Sequence, residues 1–323
     1  MINAYRSDGS LVTLPPSPIV AGGIGDVVWI DLINPSTVED DYVEKLLNIQ
    51  VPTRDELKDI EPSSRLYTVD NAVYMTASLV VKVDIGSPEL TDVAFILVNG
   101  TLLTVRYAEP KAFQLFVAYL MRRSDGLGGG VAVLARLLET IADRTAEVLE
   151  RSVADLDNLS SEIFRNRGKR RPPQFLENKL AEIADEHRLV SKVRDSLGSL
   201  SRLLTFLRNL PTVRQDKACA DLYKTVAHDV ETLSEHASFI AGNIAFLLDA
   251  SLGLINVEQN AIIKIFSIAA VVFLPPTLVA SIYGMNFHFM PELNWTFGYP
   301  FALFAMLLSA LIPFFFFRWK GWL

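Results

Sequence analysis

Two uncharged apolar runs near the end of this 323-residue chain set the terms for everything else: Ile265–Tyr283, of 19 residues, and Phe297–Phe317, of 21. The hydrocarbon layer of a bilayer is about 30 Å thick and a helix rises 1.5 Å per residue, so about 20 apolar residues cross it. Each run is long enough, and the pair reads as a membrane hairpin. A buried core hairpin passes the same length test and is the competing reading. Half of the residues are hydrophobic while 21% are charged, a balance that points to a soluble part joined to a membrane part.

Charge placement gives the hairpin a direction. The connection Gly284–Thr296 contains Glu292 and no Lys or Arg, whereas Lys264 precedes the first run and Arg318 and Lys320 follow the second. By the positive-inside rule both ends face the cytoplasm and the connection lies outside. Residues 1–11 carry no apolar stretch of signal-peptide type, which agrees with a cytoplasmic N-terminus.

The remainder divides at Gly126-Leu127-Gly128-Gly129-Gly130. Before it, the run Val27–Leu32, a turn at Asn34-Pro35-Ser36, a helical stretch Val38–Leu47, the β-rich Ala72–Val83, and Val93–Val98 with Thr101–Arg106 around Asn99-Gly100 predict an α+β domain over 1–125. After it, Val131–Arg165 and Gln174–Leu210 predict two long amphipathic helices joined by a basic, proline-bearing turn. From Thr212 a third helix is expected to run into the first span without a break, with the cytoplasmic helices filling 126–264. The expected membrane part is a span over 265–283, an outer loop over 284–296, a second span over 297–317 and a cytoplasmic tail over 318–323.

Residues 1–110 hold 16 acidic against 7 basic residues, the wrong sign for a nucleic-acid surface. The single cysteine, Cys219, excludes a disulfide within the chain. No nucleophile–base pair, phosphate loop or metal-ligand cluster marks an enzyme.

Two helices cannot enclose a hydrophilic path, so conduction would need several copies around an axis, each presenting a tolerable face. Steps of three and four residues from Asp249 trace such a face through Gly253, Asn256, Asn260, Ile263, Ser267, Ala270, Leu274, Thr277, Ser281 and Gly284. The stripe is small or polar except at Ile263 and Leu274. Small residues also mark ordinary helix packing in membranes, so the stripe has a second reading. The other span is bulky all round and suits an outer, lipid-facing position. Residues 225–263 hold five acids (Asp229, Glu231, Glu235, Asp249, Glu258) and no Lys or Arg. Repeated around a ring, these would concentrate cations; on a single chain they are a solvated face.

After the first span the chain reads Tyr283-Gly284-Met285-Asn286, then Met290-Pro291-Glu292-Leu293. The Gly-Met-Asn tripeptide, the Met-Pro-Glu-Leu tetrapeptide, their place between two C-terminal spans and the chain length together resemble the CorA family of magnesium channels. The resemblance extends, less specifically, to Trp29-Ile30-Asp31-Leu32 and to Asp59-Ile60 with Arg65.

The resemblance implies a homopentameric funnel in a prokaryotic inner membrane, whose long stalk helix becomes the pore helix. It implies that Gly284 and Met285 shape a turn presenting Asn286, the selectivity residue. It places Asn260, Ile263, Leu274 and Thr277 on pore-lining positions, and Asp249 on an acidic ring at the cytoplasmic end. Mg²⁺ is the implied cargo, with Co²⁺ or Ni²⁺ as further candidates, and cytoplasmic Mg²⁺ the implied regulator. Asn286 and Asn260 would meet the ion through its hydration water, because Mg²⁺ sheds water reluctantly. Glu292, the one charge of the loop, would draw cations to the mouth. The family's dense basic tail is reduced here to Arg318-Trp319-Lys320-Gly321-Trp322-Leu323. No local motif fixes the regulatory acids; Asp84, Glu89, Asp92, Asp221 and Asp229 are candidates. The four histidines read as structural or solvated, although His288 lies in the loop. A zinc transporter of the same superfamily is the nearest alternative, disfavoured by Met290-Pro291-Glu292-Leu293. A non-conducting, membrane-anchored helical scaffold or sensor is the alternative from another class.

Overall fold

A computed structural model of the chain describes residues 1–14, 25–59, 61–122, 126, 128–165, 172, 174–286, 288, 290–291 and 295–321. Internal contacts divide it into two units, Met1–Leu248 and Asp249–Leu323.

The first unit opens with a sheet. Strands β1 (Ile2–Arg6), β2 (Leu11–Val12) and β3 (Val27–Ile33) are followed by helix α1 (Thr37–Leu47), the short α2 (Pro62–Arg65) and strands β4 (Leu66–Val69), β5 (Ala72–Val81), β6 (Glu89–Val98) and β7 (Thr101–Arg106). The seven strands among the described residues lie in the order β2-β1-β3-β7-β6-β5-β4. Neighbours are antiparallel except β3 and β7, which are parallel. The β6–β7 turn is Asn99-Gly100, both at positive φ (49° and 82°), as a two-residue hairpin on right-twisted strands requires. Ser36 caps α1 through a reciprocal capping box with Glu39, the signature that Ser-x-x-Glu carries.

Side-chain alternation splits the sheet into two packed faces. Ile30, Leu32, Ile96, Val98, Leu103 and Val105 join Val43 and Leu47 of α1 in one core cluster. Trp29, Phe95 and Leu102 are buried too, and the Trp29 ring packs against Tyr5, Phe113 and Phe116. Phe113 and Phe116 belong to α3 (Lys111–Leu120).

Three long helices follow: α4 (Gly130–Arg165), α5 (Phe175–Leu207) and, after the single turn α6 (Pro211–Gln215), α7 (Lys217–Tyr283). α4 starts against the β6–β7 turn, where the Gly130 amide donates to Gly100 O at 2.6 Å. A Cβ on Gly130 would fall 2.3 Å from Leu102 N, so only glycine fits there. α5 covers the edge of β5 that lies beyond the reach of β4: Ser199 Oγ accepts from the Ser78 amide at 3.0 Å, and Ser196 Oγ donates to Ser78 O at 2.8 Å. Side-chain hydroxyls thereby satisfy an edge that would otherwise invite another strand. Tyr223 of α7 is buried and its hydroxyl donates to Val131 O at 2.6 Å; burial raises its pKa well above the ordinary phenol value.

The uninterrupted helix expected from Thr212 is corrected here. The chain breaks at Asp216, whose backbone is extended (φ −98°, ψ 104°). Its carboxylate accepts from the amides of Ala218 and Cys219 at 3.0 and 3.2 Å. Asp216 is therefore an N-cap that satisfies the first free amides of α7, and those bonds hold its carboxyl below its usual pKa.

The second unit holds the rest of α7 and α8 (Gly298–Trp319), the two helices among the described residues that are long and apolar enough to cross a membrane. α7 carries Pro275 and Pro276 without ending. Thr277 Oγ donates to the carbonyls of Phe273 and Leu274 at 3.1 and 2.8 Å, in the turn that follows the two prolines. α8 is not bulky all round. Its less exposed residues are Gly298, Ala302, Ala305, Met306, Ser309, Ala310, Pro313 and Phe317; Gly298, Ala302, Ala305, Ser309 and Ala310 among them are small, as close helix packing in lipid requires.

Candidate functional site

The residues of the polar stripe all lie on α7 or in the turn that ends it. Asp249, Gly253, Asn256, Asn260, Ile263, Ser267, Ala270, Leu274, Thr277, Ser281 and Gly284 are every one exposed. On the other side of the same helix, Ala269, Val272, Pro276, Val279 and Tyr283 are partly buried. The stripe is thus exposed along its length, as are the bulkier Ile262, Ile265, Phe266, Phe273, Leu278 and Ile282 of the same helix, and it runs through the proline pair.

Beyond Tyr283 the helix closes tightly. The Gly284 amide donates to Ala280 O at 2.9 Å and the Met285 amide to Ile282 O at 3.3 Å. A Cβ on Gly284 would lie 3.1 Å from Ala280 O, which explains a glycine at this turn. Met285 and Asn286 then emerge exposed, so the amide of Asn286 is free to meet solvent two residues past the end of the stripe. Glu292 lies outside the described residues. His288 is exposed, and no group of three or more His, Cys, Asp or Glu able to hold a metal occurs among the described residues.

The five acids considered for regulation do not come together in one chain. Arg144 donates two bonds to Asp84 at 2.7 and 2.9 Å, and Arg151 a third at 3.0 Å; the two guanidinium groups hold the Asp84 carboxyl below its ordinary pKa. Glu89 pairs with Lys82 at 2.7 Å, and Asp92 pairs with Arg65. Asp221 and Asp229 are exposed on α7. Burial, together with the charges of Glu139 and Asp229, raises the pKa of Asp143 on α4, so Asp229 adds to a local excess of negative charge.

The two less specific segments of the resemblance have structural roles. Asp31 accepts from Arg106 Nε and Nη2 and from Thr104 Oγ at 3.1, 2.9 and 2.7 Å. Trp29 Nε1 donates to the same threonine hydroxyl at 2.9 Å. Arg65 bonds Ser78 Oγ and Asp92. Arg106, Thr104 and Ser78 are partners that no sequence spacing pointed to.

Comparison with known proteins follows the same lines. The sequence model of a family described as "CorA-like Mg2+ transporter protein" matches residues 25–319. Over 330 aligned residues, covering all of both chains, the chain is 36% identical to the magnesium transport protein CorA of Pasteurella multocida and 38% identical to that of Escherichia coli K12. The complete structure of the CorA magnesium transporter from Methanocaldococcus jannaschii superposes with a TM-score of 0.79 at 20% identity, covering 100% of this chain and 99% of that one.

Proposed function

The chain belongs to the CorA-like Mg2+ transporter family, and from that premise we propose that it is a Mg²⁺ channel whose pore is the exposed stripe of α7 repeated around an axis of five identical subunits. One observation supports the reading: a face from Asp249 to Gly284, small or polar except at Ile263 and Leu274, that is exposed along its length and ends beside an exposed asparagine. A packing seam for α8 would be covered by it. Self-assembly has separate support in Phe239 and Phe246 of α7, each 65% exposed. Large aromatic side chains left bare on a helix outside the apolar spans mark a surface made for a partner.

In this reading the Gly284–Thr296 connection is extracytoplasmic and both termini are cytoplasmic. A hydrated Mg²⁺ meets a ring of Asn286 amide oxygens, which accept hydrogen bonds from its water shell without stripping it. Neutral amides bind weakly enough for the ion to leave, which conduction needs. Ser281, Thr277, Ala270 and Ser267 then pass it along a narrow wall. Leu274 and Ile263 are the apolar constrictions able to close by dewetting. Asn260 offers a second ring of amides, with Asn256 a turn below, and Asp249 an acidic ring where the ion reaches the cytoplasm. Cytoplasmic Mg²⁺ closes the channel through acids not already neutralised within one chain. Asp221 and Asp229 meet that condition better than Asp84, Glu89 or Asp92, which Arg and Lys engage.

The test is dye-reported entry of Mg²⁺, Zn²⁺, Co²⁺ and Ni²⁺ into liposomes holding the purified protein, with and without a proton gradient. Mg²⁺ entry independent of the gradient is the expected result. Zn²⁺ entry driven by protons would assign the chain to zinc transport, and no flux at all would leave a scaffold or sensor.

A further inference from the structure

A cavity of about 270 Å³ in the first unit lies between the end of β5, the start of α3, and the helices α4 and α5. Leu79, Val81, Ile141, Val148 and Val193 of its lining are buried and apolar. Walls of this kind offer water few partners, and left bare they forgo dispersion contacts. Five charged residues also line it: Lys82, Asp84, Glu109, Lys111 and Arg144. Three of them are paired, Asp84 with Arg144 and Lys82 with Glu89. Glu109 and Lys111 form no ion pair among the described residues. The side chain of Gln114, also of the lining, stands between them instead. Lys111 Nζ donates to Gln114 Oε1 at 3.3 Å, and Gln114 Nε2 donates to Glu109 Oε2 at 3.2 Å. All three residues are exposed. The apolar cavity is therefore edged by one ammonium and one carboxylate without ionic partners, held apart by the width of an amide.

We propose that this cavity binds an α-amino acid with a large apolar side chain. The side chain lies among Leu79, Val81, Ile141, Val148 and Val193, the carboxylate accepts from Lys111, and the ammonium donates to Glu109. Charge complementarity selects the ligand: a zwitterion carries one charge of each sign a short distance apart, the two that this wall leaves unpaired. Both protein groups exchange a neutral amide for an ionised partner, and such bonds are about twice as strong. An inorganic anion would leave Glu109 and the apolar wall unmatched, and a metal ion would meet a single unpaired carboxylate beside an ammonium. Every lining residue belongs to Met1–Leu248, so the inference does not rest on conduction.

The test uses the full-length protein in nanodiscs with L-trifluoroleucine as the reporter, followed by fluorine NMR line broadening against empty nanodiscs. Unlabelled L-leucine should displace it. Isocaproate, which lacks the ammonium, and isoamylamine, which lacks the carboxylate, should each compete about tenfold less well, the factor of one hydrogen bond to a charged group. Glycine, without the apolar side chain, should also lose at least about tenfold. Lys111→Gln should bring leucine to within about twofold of isoamylamine, and Glu109→Gln to within about twofold of isocaproate, because the matching charge is then gone. Lys111→Arg should keep the preference. Val148→Phe, which fills the cavity, should abolish binding with the thermal midpoint preserved. Ile85 lines the edge and is 73% exposed; a nitroxide on Ile85→Cys, in a Cys219→Ser background, should broaden the reporter further. Equal competition by leucine, isocaproate and isoamylamine, or preferences unchanged by the Gln variants, would overturn the proposal. So would an unaffected reporter beside the nitroxide, or binding retained by a folded Val148→Phe. Should Val148→Phe not fold, the exposed Gln variants and the nitroxide decide alone. No ion flux is read, so failure here leaves the channel reading standing, and failure of that reading leaves this one.

Discussion

Asp31 on β3 and Arg106 on β7 form a doubly bonded ion pair, at 2.9 and 3.1 Å, across the one parallel pair among the described strands. Both are almost fully buried. The guanidinium also donates to Ala108 O at 3.1 Å and lies 4.7 Å from the centre of the Phe113 ring, so few of its donors go unused. A buried pair of this kind contributes little over an apolar replacement, but breaking it strands a charge. Arg106→Met alone should destabilise the protein by about 3–5 kcal/mol, and adding Asp31→Leu should recover most of that loss. Urea unfolding followed by the fluorescence of Trp29 checks both; a double variant no better than the single one would show that the pair itself stabilises.

Glu186 on α5 gives a pH prediction. Burial, and then the charges of Asp155 and Asp185, raise its pKa, against a hydrogen bond from Ser152 that lowers it. The native state therefore holds this proton more tightly than the unfolded chain. The corresponding stability is present below the ordinary carboxylate pKa and is lost as pH rises through the raised native value. Glu186→Gln keeps an acceptor for Ser152 and never ionises. It should raise the thermal midpoint at pH 7 by about 1–3 °C, with no gain near about pH 4. A lower midpoint at pH 7 would mean that the carboxylate is stabilising.

The membrane hairpin and the stripe were legible because both are periodic: a run of uncharged residues sets a length, and steps of three and four set a face. The turn at Asn34-Pro35-Ser36 and the hairpin at Asn99-Gly100 were local signals, although the capping box of Ser36 with Glu39 was not read. The break at Asp216 was not read, although Asp before a helical run is a known start signal; the apolar pattern on both sides hid it. β1, β4 and α3 were missed as elements because strands of five and four residues and a ten-residue helix carry few periods. The functions of Trp29, Asp31 and Arg65 were illegible since their partners Thr104, Arg106, Ser78 and Asp92 lie 13 to 75 residues away. The small face of α8 was obscured by the phenylalanines around it.

The orientation of the hairpin is tested at His288, exposed in the connection between the helices. A cysteine placed there by His288→Cys, with Cys219→Ser, should react with an impermeant thiol reagent applied to intact cells. Reaction only after permeabilisation would reverse the assignment.

Asp249 opens the stripe in a stretch of α7 without basic residues. Asp249→Lys turns a ring of negative charge into a positive one and should lower Mg²⁺ conductance several-fold. It should also weaken block by hexammine complexes added from the cytoplasmic side. Both effects should be largest at low ionic strength, where screening is least; unchanged conductance there would turn Asp249 away from the axis.

The central claim is that a ring of Asn286 side chains selects hydrated Mg²⁺. Asn286→Asp adds one negative charge per subunit and should bind divalents more tightly while slowing their exit. Cobalt hexammine, which imitates a hydrated Mg²⁺ unable to lose its shell, should block the unaltered channel from outside and lose potency when the amide is removed. The most direct measurement is Mg²⁺ uptake into liposomes by Asn286→Ala, whose fold and assembly should be intact because the residue lies exposed beyond the helix end. Loss of discrimination between Mg²⁺ and Na⁺ is the result this account predicts; a variant matching the unaltered protein in both rate and discrimination would contradict it.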